Sequence, residues 1–111
     1  MSVTREKNGE ILLVSAAGQI NSANAAELET QLLQWVEEGE HKWVLDMSGV
    51  EYISSAGLRV VLLLAKRLKQ QGGHVVLCSL QPHVLEVFDI SGFLSILDVA
   101  DSRDAALARH A

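Results

Sequence analysis

Apolar and polar positions change period several times along this chain, and each change marks an element. Val3 to Lys7 is mostly polar and is closed by Asn8-Gly9, a pair that favours a type I′ turn because both residues tolerate positive φ. Ile11-Leu12-Leu13-Val14 follows as an unbroken apolar run. The pattern predicts a hairpin with a polar edge strand and a buried second strand. After a small-residue loop from Gly18 to Asn24, Leu28, Leu32, Trp35 and Val36 recur at helical spacing, with Glu29, Gln31, Gln34 and Glu38 between them. Asn24-Ala25-Ala26-Glu27 has capping-box spacing at the start of that helix, and Gly39 is placed to end it.

Trp43-Val44-Leu45 reads as a short inner strand that stops at Asp46, and the residues beyond it as a polar loop running to a helix N-terminus at Ser54-Ser55. Leu58, Val61, Leu62, Ala65 and Leu68 mark a second helix, which Gly72-Gly73 terminates. Val75 to Leu80 is the next strand. Pro82 suits the first turn of a third helix, where its missing N–H does no harm, and Val84, Leu85 and Phe88 give that helix an apolar face. Phe93 to Val99 is predicted to hold a short last strand, and Asp101 or Ser102 to cap an Ala-rich terminal helix. The order β-β-α-β-α-β-α-β-α predicts an α/β fold. Its mixed sheet of about four to five strands combines parallel crossovers with the opening antiparallel pair and carries flanking helices.

Composition narrows the class without changing the outline. With 111 residues, 49% of them hydrophobic and 21% charged, the chain is expected to form a single domain over 1–111. Such a chain can bury a core without disulfide or metal staples. The net charge of −5 and the lack of a basic cluster argue against nucleic-acid binding, which needs concentrated Lys and Arg. Lys66-Arg67 reads as a solvated helix face. The one cysteine, Cys78, ends the run Val75-Val76-Leu77 and is expected to be a buried strand thiol without a disulfide partner. The N-terminal residues lack the apolar core of a signal peptide, and no apolar run reaches membrane-spanning length. The expectation is a cytoplasmic protein with no membrane partner, and the polar first strand suggests a monomer when free.

Enzyme chemistry finds little support. Ile53-Ser54-Ser55-Ala56-Gly57 matches only the second half of a nucleophile elbow, because Ile53 replaces the first glycine. His41, His74, His83 and His110 are scattered, with no metal-ligand spacing. No Gly-rich run ends in Gly-Lys-Ser/Thr. A phospho-aspartate at Asp46 would need further acids near an early strand end to hold magnesium, and Ser15 to Asn21 contain none. What stands out is Ser54-Ser55 at a helix entrance. A serine there is a preferred N-cap and needs no other purpose. A phosphoacceptor needs an exposed hydroxyl and a place for a charge of about −1.5 to −2, and a helix N-terminus offers such a place. Ala56 and Gly57 add little bulk, so another protein could approach.

Asp46-Met47-Ser48-Gly49-Val50, followed by Tyr52-Ile53-Ser54-Ser55-Ala56-Gly57-Leu58-Arg59, resembles the signature of STAS domains, in particular bacterial anti-sigma-factor antagonists. The resemblance covers almost the whole chain, since Gly18-Gln19-Ile20-Asn21 followed by Asn24-Ala25 is similar to the family's loop before its first helix. It implies the STAS fold, no catalytic activity and no cofactor or metal. It implies an acceptor serine two residues before the motif glycine, which is Ser55. It also implies two partners: a serine kinase that is itself the anti-sigma factor, and a metal-dependent Ser/Thr phosphatase. In that scheme the unphosphorylated protein binds the kinase and frees the sigma factor. Ser54 stands where the family often has Asp, Ala56 where Ser or Thr is frequent, and Asn21 where Asp is common. The first change makes Ser54 a rival acceptor. The set also permits a STAS protein that is not phosphorylated and serves as a scaffold or a subunit of a transporter or signalling assembly. Partner contacts are expected at Asn21, Ser22, Asn24, Asp46, Ser54, Ala56, Gly57 and Arg59. Asp46 is either a loop-capping carboxylate or a contact that orients the kinase, and Arg59 either a solvated side chain or a partner contact.

Overall fold

The computed structural model describes residues 1–110. Its strands are β1 (Ser2–Asn8), β2 (Ile11–Ile20), β3 (Lys42–Ile53), β4 (His74–Cys78) and β5 (Asp98–Ala100). Its helices are α1 (Ala25–Glu37), α2 (Ser55–Gln70), α3 (Pro82–Ile90) and α4 (Arg103–Ala108). The five strands lie in the order β1-β2-β3-β4-β5. The β1–β2 pair is antiparallel, and every other pair is parallel. The sheet advances in one direction while each parallel step crosses over through a helix, so crossovers of one hand put α1, α2 and α3 on the same face. The order, the mixed sheet and the opening hairpin are those predicted.

Strand alternation sorts the two faces. Leu12, Val14, Trp43, Leu45, Val75 and Leu77 point into the main core beneath α1, α2 and α3. Their neighbours Leu13, Val44, Val76 and Cys78 point to the other face, where Ala106 of α4 covers them together with Ala100. Cys78 is the buried thiol expected, and burial pushes its pKa up. On the main face Leu28, Leu32, Trp35 and Val36 of α1 are buried, as are Leu58, Val61, Leu64 and Leu68 of α2, which is the predicted spacing with small shifts.

Three boundaries differ from the sequence reading. The last strand is not Phe93 to Val99, because Phe93–Ser95 forms a 3₁₀ turn and β5 starts only at Asp98. The strand expected over Val75 to Leu80 ends at Cys78. The largest change is in β3, which does not stop at Asp46 but continues to Ile53 alongside a β2 that reaches Ile20. The register between them slips twice, between Ser15 and Ala17 and between Gly18 and Gln19, with the extra residues in β3. Two bulges convert the alternation into Met47, Val50 and Ile53 facing the core. That spacing of three imitates a polar loop. The consequence for function is that the chain enters α2 directly from a rigid strand.

Candidate functional site

The ends of β2 and β3 carry the two segments singled out in the sequence, and a ladder contact ties them together. The Ser54 N–H donates to the Ile20 carbonyl at 2.8 Å, so the loop after β2 and the turn into α2 are neighbours. Within the loop the two asparagines hold each other. Asn24 Oδ1 accepts from the Asn21 N–H at 2.9 Å, and Asn21 Oδ1 accepts from the N–H groups of Ala23 (2.9 Å) and Asn24 (3.2 Å). Asn24 Nδ2 donates to the Gln19 carbonyl at 2.9 Å. The capping box predicted from Asn24 and Glu27 is therefore absent: the Asn24 side chain makes no cap bond to α1 because the loop has taken it. Ser22, at the loop's tip, is exposed.

The two serines at the start of α2 are not equivalent. Ser54 is the N-cap, in an extended conformation, and its hydroxyl accepts from the Gly57 N–H at 3.2 Å. Ser55 is the first helical residue. It is exposed, and its hydroxyl has no hydrogen-bond partner among the described residues. The N–H groups of Ser55 and Ala56 open the helix and have no carbonyl four residues back within it. Ser54→Ala is expected to cost about 1 kcal/mol through loss of the cap. Ser55→Ala should stay within about 0.5 kcal/mol, as for most exposed sites. Urea unfolding of both variants measures the difference.

Gly57 lies under this turn, not on its surface. A Cβ there would come within 2.7 Å of Ile20 Cγ2 and 2.8 Å of Ile53 Cγ1. Its lack of a side chain lets the first turn of α2 sit on the ends of β2 and β3. Gly57 is thus a packing residue and presents nothing to a partner. Ala56 is half-buried and packs on the same core, whereas Arg59, one turn on from Ser55, is exposed.

Asp46 departs further from expectation. It is only 6% exposed and points to the α4 face of the sheet. One carboxylate oxygen accepts from the Ser48 N–H at 2.9 Å, so the backbone it caps is the first bulge of β3 and not the loop expected there. The other accepts from Arg103 Nε at 3.0 Å and Nη2 at 2.8 Å. Burial by itself pushes the carboxyl up, yet the Ser48 N–H and the Arg103 guanidinium outweigh it and hold Asp46 below the usual aspartate range. With its oxygens so engaged, Asp46 is a structural anchor and is removed from the partner-facing set. Arg103, which the sequence reading missed, also reaches Ser15 Oγ at 3.4 Å and Glu6 at 3.7 Å. Nothing local in the sequence signals this, because the pairing spans a separation of 57 residues.

Beyond the end of β4, the free edge of β3 is held by the start of α3. Gln81 Nε2 donates to the Ser48 carbonyl at 2.9 Å, and His83 Nε2 meets the Glu51 carbonyl. These contacts satisfy β3 carbonyls that lie past the last residue paired with β4, and they hold the segment leading to Ser54. Tyr52, paired in register with Gln19, remains 49% exposed beside the turn. A groove of about 410 Å³ lies elsewhere, between Val3 of β1 and Leu28, Gln31 and Gln34 of α1. The site at Ser55 is an exposed surface, open to contact with another macromolecule. No cluster of potential metal ligands occurs among the described residues. No described helix is long and apolar enough to cross a membrane.

Comparison with known proteins agrees with this architecture. The family model of the STAS domain matches residues 2–106. A protein of Bordetella bronchiseptica named "Putative anti-sigma factor antagonist BtrV" is 56% identical over 108 residues, covering 97% of this chain and 93% of its own length. The crystal structure of an anti-sigma factor antagonist from Mycobacterium paratuberculosis superposes with a TM-score of 0.89 at 22% identity, covering 97% of this chain and 92% of that one. The Bacillus cell fate determinant SpoIIAA, solved in its phosphorylated form, gives a TM-score of 0.75 at 17% identity over 99% of this chain and 100% of that one.

Proposed function

The chain belongs to the STAS-domain family of anti-sigma factor antagonists, and from that membership we propose that it is a partner-switching protein controlled by phosphorylation of Ser55. In this reading the unphosphorylated protein binds an anti-sigma factor that is also a serine kinase. Phosphorylation of Ser55 releases it, and a metal-dependent Ser/Thr phosphatase restores binding. The protein acts in the cytoplasm as a single domain and a binding partner, without chemistry of its own. The charged outer strand, with Arg5, Glu6 and Lys7, disfavours edge-to-edge pairing and supports a monomeric free form.

The observation that carries the reading is the division of labour between the two serines. The Ser54 hydroxyl is spent on the Gly57 N–H, while the Ser55 hydroxyl is exposed and unpartnered. A kinase can therefore take Ser55 without dismantling the helix cap. Around it, Ser22, Tyr52 and Arg59 are exposed and can form the contact surface, with the Asn21–Asn24 bracket holding its shape. The test is peptide mass spectrometry after incubation with ATP and each candidate switch kinase of the same genome. One added phosphate is expected, on Ser55, and none on Ser55→Ala. A phosphate on Ser54 instead, or none with a kinase that still binds, would overturn the assignment.

A further inference from the structure

Arg59 is the odd arginine in this protein. Arg5 lies 2.9 Å from Glu38, Arg67 3.5 Å from Glu37 and Arg103 2.8 Å from Asp46, and Arg109 pairs with Asp98. Arg59 is exposed and has no carboxylate partner among the described residues. Its own helix offers none. The charged residues of α2 are Arg59, Lys66, Arg67 and Lys69, all basic, and the positions three and four residues from Arg59 are Ala56, Leu62, Leu63 and Ser55. Glu51 and Glu27, on the flanking strand and helix, make no ion pair with it. In an acidic protein whose other arginines are matched, this cation has been left without a counter-charge.

The residue one turn before it is Ser55. Side chains four apart on a helix are neighbours on one face, and the favourable order puts the anion N-terminal to the cation. Resting on Ser55 as the acceptor, we infer that Arg59 is the intramolecular counter-ion of the Ser55 phosphate. In the unphosphorylated protein the guanidinium is presented to the partner. After phosphorylation it turns one helical step and engages the phosphate oxygens, a pairing for which its planar donor fork is well shaped. One modification then makes two changes to the surface: it adds an anion and withdraws a cation. The fold is untouched, because neither side chain has a structural bond to lose.

The experiment does not need the kinase. Phosphoserine is incorporated at position 55 during translation, and the phosphorus NMR signal is titrated with pH in the full chain, alone and with Arg59→Gln or Arg59→Lys. A neighbouring cation favours the dianion. The second ionisation constant of the phosphate should therefore be at least about twofold larger in the native background than with Arg59→Gln, with Arg59→Lys between them. Added salt should narrow the gap. Equal constants in the native and Arg59→Gln proteins would overturn the pairing. Because the phosphate is installed directly, an error in naming Ser55 as acceptor appears in the kinase assay and not in this titration.

Discussion

Phosphorylated Ser55 should weaken binding to the anti-sigma kinase by about a hundredfold or more, corresponding to roughly 3 kcal/mol. The effect should come from the interface, since Ser55 begins α2 with an exposed hydroxyl that supports nothing in the fold. A dianion at the first helical position is tolerated by the free protein, where it adds a favourable dipole interaction of about 0.3–1 kcal/mol. In the complex the same charge must be stripped of water against a surface that fitted an uncharged serine, and the penalty falls on binding alone. Calorimetry with the phosphoserine protein should show the loss of affinity, with urea midpoints unchanged or slightly raised. Ser55→Ala should bind nearly as the native protein does. Ser55→Asp should fall between, because a single carboxylate reproduces only part of the charge and bulk. Equal affinity of the phosphorylated and unphosphorylated forms would remove the electrostatic switch, whatever the kinase assay had shown.

Much of this arrangement could be read from the chain because the packing of its helices is regular. Leu28, Leu32, Trp35 and Val36 keep their helical period, and the periods of α1 and α2 survive into the fold. The alternation of strands and helices left few topologies open, and the observed sheet order is the simplest of them. The motif from Asp46 to Arg59 was legible as a family resemblance, but its structure was not. Two bulges in β3 space Met47, Val50 and Ile53 in threes, so a strand presents the composition of a loop. Asn24 shows a second limit. Its spacing to Glu27 suits a helix cap, but the loop before the helix competes for the same side chain through Asn21 and Gln19, and residue type alone does not rank the two. The difference between Ser54 and Ser55 is of the same kind. Adjacent identical residues cannot be told apart by type, and it is the Gly57 N–H that selects Ser54 as the cap.

The other large effect concerns Asp46, where family signature and physical role separate. Asp46→Ala is expected to destabilise the protein by about 2–3 kcal/mol, since it removes charge-assisted bonds and leaves the Ser48 N–H without its acceptor. The loss should be smaller than the roughly 3–5 kcal/mol seen when a fully buried pair is broken, because the Arg103 side chain is 44% exposed and can turn to water. Asp46→Asn keeps a shape that can still accept from Ser48 and should cost less. The pair also sets a pH dependence. The folded-state pKa of Asp46 is lowered, so its contribution is complete above the unfolded value of about 3.9 and disappears as pH falls through the folded value below that. Asp98, lowered beside His74 and Arg109 in spite of its partial burial, loses stability in the same acid range. The informative quantity is therefore the difference between native and Asp46→Asn unfolding free energies from pH 7 downward. That difference should be constant to about pH 4 and then shrink. A difference independent of pH would mean that Arg103 holds α4 to the sheet by packing alone. If the expected profile is found while Asp46→Asn still binds its partner, the aspartate of the signature is there to anchor α4 beneath the switch strand, and the partner reads the surface around Ser55 that the anchored strand presents.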